Sequence, residues 1–188
     1  MKRLAGKVAV ITGAGRPGGL GAAIARRLAE DGARIVISDI GQVVDEATPL
    51  EMIGAAEDIA QVAAELKACG AEVSAHACDV RQAKQVDALA EHAVARFGAI
   101  DIWVNNAGIG YIMKPLVEVS AEDWAAVIDV NLTGSFNGVK AAALRMIAQG
   151  KGGRIINIAS QAAKSGFPFA QAYCASKHGL VGLVRSAA

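Results

Sequence analysis

The sequence predicts an α/β fold in three layers, a doubly wound parallel sheet with helices on both faces. Short β-branched segments alternate with helical segments five times, and that order calls for right-handed crossovers. The composition is 53% hydrophobic with 21 glycines and 4% aromatic residues, which suits a buried sheet packed against alanine-rich helices. A glycine-rich turn also follows the first strand. At 188 residues we expect one domain over 1–188.

The first half of the chain contains three predicted strands and two predicted helices. Residues 8–12 form an apolar strand. The helix after the glycine-rich turn places Leu20, Ile24 and Leu28 on one face, and Gly32 ends it. The elements, with approximate ends, are a helix over 19–31, a strand over 34–38, an irregular acidic segment over 41–54, a helix over 55–69 and a strand over 72–78.

The second half continues the alternation. A helix over about 81–97 ends at Gly98, and its apolar stripe consists of Val86, Leu89, Ala90, Ala93, Val94 and Phe97. Ser120, with Asp123 three residues on, predicts the start of a helix to about residue 149, roughly 40 Å long at ~1.5 Å per residue. The other predicted elements are a strand over 100–104, a buried strand over 154–160 and a helix from Ala172 onward.

The charge and cysteine content exclude several classes of function. Lys and Arg (19) nearly balance Asp and Glu (18), and the charges are interspersed, so no nucleic-acid surface is predicted. The start of the sequence lacks an apolar run sufficient for a signal peptide, and no apolar segment reaches the length of a membrane span. The three cysteines lack metal-ligand spacing and fit reduced thiols. We therefore expect a cytoplasmic protein without a membrane partner. His76, His92 and His178 are scattered, so we predict no metal site.

A serine, a tyrosine and a lysine near the end of the chain predict a proton-transfer site. Ser160 ends the fifth strand, Tyr173 comes 13 residues later and Lys177 four after that. The spacing of four places Tyr173 and Lys177 one turn apart on one helix face. These groups suit chemistry on a carbonyl or an alcohol. Because Tyr-x-x-x-Lys alone is common in soluble helices, the prediction depends on the cofactor half.

The glycine-rich turn predicts a dinucleotide site. Gly13, Gly15 and Gly18 match the G-x-G-x-x-G fingerprint between a strand and a helix, and Gly19 and Gly21 follow. Glycines permit the sharp turn and let the backbone approach a pyrophosphate, whose charge the helix N-terminus stabilises. The flanking strand and helix make this match more specific than the motif alone.

Side chains at strand ends bear on which dinucleotide binds. Asp39 ends the second strand, where a carboxylate accepts hydrogen bonds from the adenosine ribose. Arg16 favours a 2′-phosphate instead, but the carboxylate would repel that phosphate, so we predict NAD over NADP. Asp79 ends the third strand, where it would either hydrogen-bond to adenine or cap the next helix.

Together these pieces resemble the classical short-chain dehydrogenase/reductase family over essentially all 188 residues. The matching elements are the TGAG and GLG turn, Asp39, Asp79–Val80, the NNAG run at 105–108, Asn131 in VNLTG, Ser160, Tyr173 and Lys177. The turn departs from the family pattern, as though Pro17 and Gly18 were inserted. The resemblance implies a Rossmann-type sheet of about seven strands. Five are visible here, so we expect the chain to lack the last strands and the substrate lid.

The resemblance also implies residue roles for interconverting a secondary alcohol and a ketone with NAD(H). Tyr173 would be the general acid or base, and Lys177 would favour its phenolate and hold the nicotinamide ribose. Ser160 would donate a hydrogen bond to the substrate oxygen, and Asn131 would connect Lys177 to solvent through water. The implied cofactor residues are Gly13, Gly15, Arg16, Gly19, Leu20, Gly21, Asp39, Asp79, Val80, Asn106, Ala107, Gly108, Tyr173 and Lys177.

The surroundings of the site predict a substrate class and a self-association surface. The expected substrate residues are Ser160, Gln161, Phe167, Phe169, Tyr173 and 109–112, which would suit a small polyol, diol or hydroxyketone. Similar proteins pair the long helix and the Tyr173 helix into dimers and tetramers, and we expect Gly134, Ser135 and Gly138 to allow such close approach.

Two alternatives stay open from the sequence. One is an NADP-dependent 3-oxoacyl-thioester reductase of the same fold, and the other is a nucleotide-binding module without catalysis. Cys174 is adjacent to Tyr173 but on another helix face, so we predict a buried structural thiol rather than a nucleophile.

Overall fold

A parallel sheet forms the centre of the protein. The computed structural model describes residues 2–41, 56–110 and 112–188. The strands are β1 (Val8–Thr12), β2 (Arg34–Asp39), β3 (Val73–Ala77), β4 (Ile102–Asn105) and β5 (Arg154–Asn157). They pair in the order β3-β2-β1-β4-β5, and every pairing is parallel. The direction of winding therefore reverses between β1 and β4, where open α/β sheets bind ligands.

Helices cover both faces of the sheet. They are α1 (Leu20–Glu30), α2 (Ala56–Ala68), α3 (Ala83–Phe97), α4 (Ala121–Ile128), α5 (Gly134–Gln149) and α6 (Gln171–Ala187). A π-helical turn, Asp129–Thr133, joins α4 to α5. Within the described part of the chain, no helix is both long and apolar enough to cross a membrane. The predicted acidic segment over 41–54 lies outside the described residues except for Gly41.

Alternate residues of the central strands pack against opposite layers. Val8 and Val10 of β1 pack with α3 and α5 in one buried cluster. Ala9 and Ile11 of the same strand pack with α1 and α2 in the other. This alternation follows from the two-residue period of a strand, and it confirms the predicted three-layer fold. The predicted stripe of α3 is also confirmed, because five of its six residues are buried and Val94 is half-buried.

Two predictions about apolar segments differ from the structure. Leu20 was grouped with Ile24 and Leu28 on one face of α1, yet Leu20 is 58% exposed, and the alanines Ala22, Ala25 and Ala29 fill the core face. The strand over 154–160 was expected to be longer and buried, yet β5 ends at Asn157 and Ile156 is 44% exposed. The reason is that β5 pairs with β4 on one side and is the edge of the sheet on the other.

Small residues of α5 pack inside this chain, which corrects their expected place in a self-association surface. Gly134, Ser135 and Gly138 are all buried. A Cβ at Gly134 would lie 2.6 Å from Val80 Cγ2. A Cβ at Gly138 would overlap the side chain of Asn105 and lie 2.7 Å from Trp103 Nε1. These residues therefore let α5 approach the sheet of its own protomer.

We expect Gly138→Ala to lower the free energy of unfolding by about 1–3 kcal/mol, the usual effect of overpacking. The added methyl group would displace Asn105, whose amide is fixed by Trp103 and Asn157 at 2.7 and 2.9 Å. Urea denaturation measures the change. Gly182→Ala is the matched control, because that helical glycine has open space around it and the change should stabilise the protein by about 0.5–1 kcal/mol. Equal stability of Gly138→Ala and the parent would contradict this packing.

Candidate active site

A cavity of about 670 Å³ lies at the carboxyl ends of the strands, within the size range of small-molecule and cofactor sites. It crosses the point between β1 and β4 where the winding reverses. All predicted cofactor residues except Gly15 line it, together with Ile40, Cys78, Arg81, Ile109, Gly110, Ile112, Glu122, Asp123, Ala126, Val130, Ile158 and Ala159. The glycine-rich turn and the Tyr173–Lys177 pair thus border one continuous space.

The glycine-rich turn needs glycine for steric reasons. Gly13 has a left-handed φ of 64°, and a Cβ there would lie 2.6 Å from Ala107 Cα. A Cβ at Gly21 would overlap the carbonyl oxygen of Gly13 and lie 2.6 Å from Asn106 Nδ2. By contrast, Gly18 has open space and lies in a turn closed by the hydrogen bond from Gly19 N to Arg16 O at 3.0 Å. The additional residues of the motif, Pro17 and Gly18, therefore belong to a separate turn. The close backbone contacts at Gly13 and Gly21 are preserved.

Asp39 braces the turn from the end of β2. Its Oδ2 accepts a hydrogen bond from Gly15 N at 2.8 Å, and Oδ1 accepts one from Ile40 N at 2.9 Å. A Cβ at Gly15 would lie 2.7 Å from Asp39 Cβ, so this contact requires glycine. Asp39 and Arg16 both line the cavity.

Thr12 joins the turn to the NNAG segment, and sequence reasoning did not identify it as a site residue. Its Oγ1 accepts hydrogen bonds from the backbone N–H groups of Asn106 and Ala107 at 3.1 and 3.2 Å. The Asn106 side chain also contacts the turn, because its Nδ2 donates hydrogen bonds to Thr12 O and Gly13 O. Thr12 is 1% exposed. A hydroxyl at the end of an apolar strand was the signal that could have found it.

Tyr173 and Lys177 lie one turn apart on α6, as the spacing predicts. The Lys177 Nζ is 5.6 Å from the centroid of the Tyr173 ring and donates a hydrogen bond to Ile158 O at 2.8 Å. Only 5% of Lys177 is exposed, and this burial lowers the pKa of its ammonium group. A Cβ at Gly110 would lie 3.1 Å from Tyr173 Cε2, so the loop after β4 packs against the phenol ring.

Asn131 lies in the π-helical turn and is fully buried. Its Oδ1 accepts from Ile109 N at 2.8 Å, and its Nδ2 donates to Ile109 O at 2.9 Å and to Ser176 Oγ at 3.1 Å. Ser176 in turn donates to Tyr173 O at 2.7 Å. Asn131 thus holds both the loop after β4 and the Tyr173 helix. Sequence reasoning missed Ser176, and no residue pattern marks it.

Of the predicted substrate residues, Tyr173, Ile109, Gly110 and Ile112 line the cavity, whereas those of the 160–169 segment do not. Ser160 begins a 3₁₀ turn, Gln161–Ala163, and its Oγ accepts a hydrogen bond from Ala162 N at 3.2 Å. Ser160, Gln161 and Phe167 are not among the described residues that line the cavity. The Phe167 ring is nonetheless 6.4 Å from the Tyr173 ring, centroid to centroid. Phe169 is half-exposed and has a left-handed φ of 68°.

The end of β3 supplies the far wall. The Asp79 carboxylate is held by Arg81, whose Nε and Nη2 donate to it at 3.0 and 2.8 Å. The N-cap of α3 is Gln82, so Asp79 is not the cap considered from the sequence. Burial, with a smaller effect of the Asp79 charge, raises the pKa of the Cys78 thiol to about 12, so this wall residue stays protonated.

The family model described as short chain dehydrogenase matches residues 7–188. The chain belongs to the short-chain dehydrogenase family. The predicted resemblance is thereby confirmed.

Named short-chain dehydrogenases match nearly the whole chain. It is 42% identical over 184 residues to the D-threitol dehydrogenase of Mycolicibacterium smegmatis, covering 96% of this chain and 63% of that protein. It is 38% identical over 186 residues to the galactitol 2-dehydrogenase of Agrobacterium fabrum, covering 99% and 65%. The chain therefore spans less than two thirds of the length of these relatives.

Solved structures of the short-chain dehydrogenase family share the fold. A carveol dehydrogenase from Mycobacterium avium in complex with NAD is 35% identical with a TM-score of 0.90, covering 98% of this chain and 65% of that one. A metagenomic short-chain oxidoreductase in complex with NADP is 41% identical with a TM-score of 0.84, covering 99% and 76%.

Two of the three histidines, His76 and His92, lie next to each other. Among residues 2–41, 56–110 and 112–188, no group of three His, Cys, Asp or Glu side chains is placed to hold a metal ion. His76 and His92 stack with their ring centroids 4.8 Å apart, and Ser74 Oγ lies 2.7 Å from His92 Nε2. Burial, and then the neighbouring His92, lowers the pKa of His76.

Proposed function

We propose that this protein oxidises a secondary alcohol to a ketone with a nicotinamide dinucleotide, using Tyr173 as the general base, and catalyses the reverse reaction with Tyr173 as the acid. One observation carries the proposal: Tyr173 and Lys177 line the same cavity as the glycine-rich turn. A phenol that faces a dinucleotide site beside a buried ammonium suits proton transfer coupled to hydride transfer.

The residues of the cavity fit a dinucleotide. Gly13, Gly19 and Gly21 line the cavity at the N-terminus of α1, where a pyrophosphate would lie. Asp39 would hold the adenosine ribose, and Lys177 the nicotinamide ribose. A Cβ at Gly108 would lie 3.7 Å from Lys177 Nζ and 3.2 Å from Asn131 Oδ1, so the small residue keeps this part of the cavity open.

Four side chains have separate proposed roles in the oxidation of the alcohol. A bound nicotinamide ring would supply the hydride acceptor for this oxidation. The Tyr173 oxygen takes the hydroxyl proton of the substrate, and the Lys177 ammonium stabilises the phenolate that must exist beforehand. Ser160 accepts its bond from Ala162 N, and its own O–H is proposed to donate to the substrate oxygen. Asn131 keeps the Ile109 loop and α6 at a fixed separation.

The proposed substrate is a small polyol or a related secondary alcohol. The dehydrogenases of threitol and galactitol among the relatives support this class. The test is a panel of tetritols, hexitols and cyclic alcohols offered with NAD, with NADH absorbance as the readout. Oxidation of at least one polyol is expected. Reduction of 3-oxoacyl thioesters with NADPH, without polyol oxidation, would contradict the proposal and favour the thioester reductase alternative.

We propose a preference for NAD, set by the charge of Asp39. The parent is expected to bind NADH about 10-fold more tightly than NADPH, and Asp39→Asn should remove most of that difference by strengthening NADPH binding. The amide keeps an oxygen for Gly15 N but carries no charge to repel a 2′-phosphate, an effect of about 1 kcal/mol or more at 4 Å. Calorimetric titration with both ligands checks this. Tighter binding of NADPH than NADH by the parent would overturn it.

We also propose that the exposed face of α5 pairs with α5 of a second copy of this protein. Phe136, Leu144 and Ile147 of α5 are 48%, 52% and 77% exposed, and exposed apolar patches of this kind mark interaction sites. Sedimentation of the parent and of Ile147→Glu tests the pairing. An unchanged oligomeric state in the variant would contradict this surface.

A further inference from the structure

Lys114 connects its own segment to two others that border the cavity. Its backbone N–H donates a hydrogen bond to Phe169 O at 3.0 Å, and Phe169 lies just before the helix that carries Tyr173. Its side-chain Nζ donates to Asp123 Oδ2 at 2.6 Å, near the start of α4. Ile112, Asp123 and Tyr173 all line the cavity. Lys114 therefore joins three walls of this cavity, which come from the segment 112–115, from α4 and from α6.

The Asp123 carboxylate is held in place by its own helix. Asp123 N donates to Ser120 Oγ at 3.1 Å, and Asp123 Oδ2 accepts from Ser120 N at 3.3 Å, which completes the capping box. The exposed fractions of the paired side chains are 18% for Asp123 and 46% for Lys114. An exposed ion pair contributes little when two flexible side chains must both be ordered. Here the carboxylate is already fixed, so only the Lys114 side chain loses freedom.

The second acceptor, the carbonyl oxygen of Phe169, belongs to a strained turn. Phe169 has a φ of 68°, and among all the residues that the structure describes it is the one non-glycine residue with a positive φ. It follows Pro168 in a turn just before α6, and glycine is the residue favoured at such a position. Other residues keep this conformation only where surrounding contacts fix it. The hydrogen bond from Lys114 N is one such contact, so the turn and the segment 112–115 hold each other in place.

We propose that Lys114 is a positioning residue for the alcohol substrate, because its bonds to Asp123 and Phe169 hold the Ile112 wall of the cavity at a fixed distance from Tyr173. This inference rests on the proposed function. Lys114 is not among the described residues that line the cavity, so it acts through the wall and not by contact with the substrate. A substrate that meets a wall already in place binds with a smaller entropy cost. Lys114 therefore determines KM for the alcohol and leaves the chemical step unchanged.

Steady-state kinetics of polyol oxidation at saturating NAD test this role. Lys114→Met should raise KM for the polyol about 3- to 5-fold, which is the size of effect expected from one partly exposed ion pair. The value of kcat should stay within about 2-fold of the parent, because Asn131 and Ser176 hold the Tyr173 helix separately. Lys114→Arg should recover KM, since a guanidinium group also pairs with a carboxylate. Lys164→Met changes another exposed lysine and is the matched control, which should resemble the parent.

The ionic strength of the buffer gives a second kinetic readout. A polyol has no charge, so at saturating NAD salt should change its KM only through charges of the protein. In the parent, raising the salt concentration from about 0.05 to about 1 M should raise KM about 2-fold, because salt screens the pair of Lys114 and Asp123. In Lys114→Met, KM should not depend on salt. The double variant Lys114→Met with Asp123→Asn should have the same KM as Lys114→Met, because both changes remove one interaction.

Hydrogen–deuterium exchange tests the same contacts without substrate. The backbone amide of residue 114, which donates to Phe169 O, should exchange at least about 3-fold faster in Lys114→Met and in Asp123→Asn than in the parent. Exchange and KM that both match the parent in Lys114→Met would overturn the inference and leave the proposed function intact. Faster exchange with an unchanged KM, or a loss in kcat alone, would also overturn it. If the parent oxidises no alcohol, the proposed function fails, and faster exchange in Lys114→Met would still support the fixed wall.

Discussion

Tyr173→Phe is expected to lower kcat for alcohol oxidation by about 10³-fold, within the range for loss of a general acid or base. The change removes the phenol oxygen alone. The ring keeps its packing against Gly110 and its place 6.4 Å from the Phe167 ring. Substrate and dinucleotide should therefore still bind, and the loss should appear in kcat.

The measurement is the initial rate of NADH formation under saturating substrate, together with the Kd for NADH. The Kd should stay within about 2-fold of the parent value, which serves as the internal control for folding. A variant that retains parent kcat would contradict the acid–base role of Tyr173. A loss confined to the Kd would mean that the hydroxyl contributes to binding alone.

Lys177→Met is expected to lower kcat about 10²-fold or more and to leave the protein at least as stable at pH 7. Lys177 is 5% exposed, and burial lowers the pKa of its ammonium group from the ordinary value. A buried charge is unfavourable unless it is well paired, and methionine fills a similar volume without charge. Loss of activity without loss of stability is expected of a residue retained for function.

The stability difference should also depend on pH in a defined direction. Because the folded state holds the Lys177 proton less tightly than the unfolded state, protonation favours unfolding. The parent should therefore gain stability relative to Lys177→Met as pH rises from the lowered pKa of Lys177 toward 10.5, and the difference should be constant below that window. Urea midpoints across this range measure it, with the exposed Lys84→Met as control. A strongly destabilised Lys177→Met at pH 7 would contradict this account.

Local patterns predicted most of the fold. The capping box of Ser120 and Asp123 forms as its spacing predicts. Gly32, Gly70 and Gly98 have left-handed φ values at helix ends. The helical period of the apolar residues in α3 predicted its buried face. Each of these features could be predicted because it depends on residues that are close in sequence. The strand-to-turn-to-helix order likewise located the glycine-rich turn before any contact was known.

Features that depend on distant neighbours could not be predicted in this way. The exposure of Leu20 follows from its place beside the cavity, and that of Ile156 from the edge position of β5. The role of Gly138 depends on Asn105, 33 residues away in sequence. Ser176 contacts Asn131 only because the π-helical turn brings the two side chains together. The periodicity of apolar residues within one segment does not indicate such contacts, because they form between residues that are distant in sequence.

The central claim is that Tyr173 and Lys177 act as one unit on the substrate, and a double-mutant cycle on kcat/KM tests it most directly. The parent, Tyr173→Phe, Lys177→Met and the double variant are compared with one polyol and NAD. If Lys177 acts through the phenol, the double variant should be no slower than Tyr173→Phe within about 3-fold. Losses that multiply, so that the double variant falls by the product of the single effects, would contradict the claim.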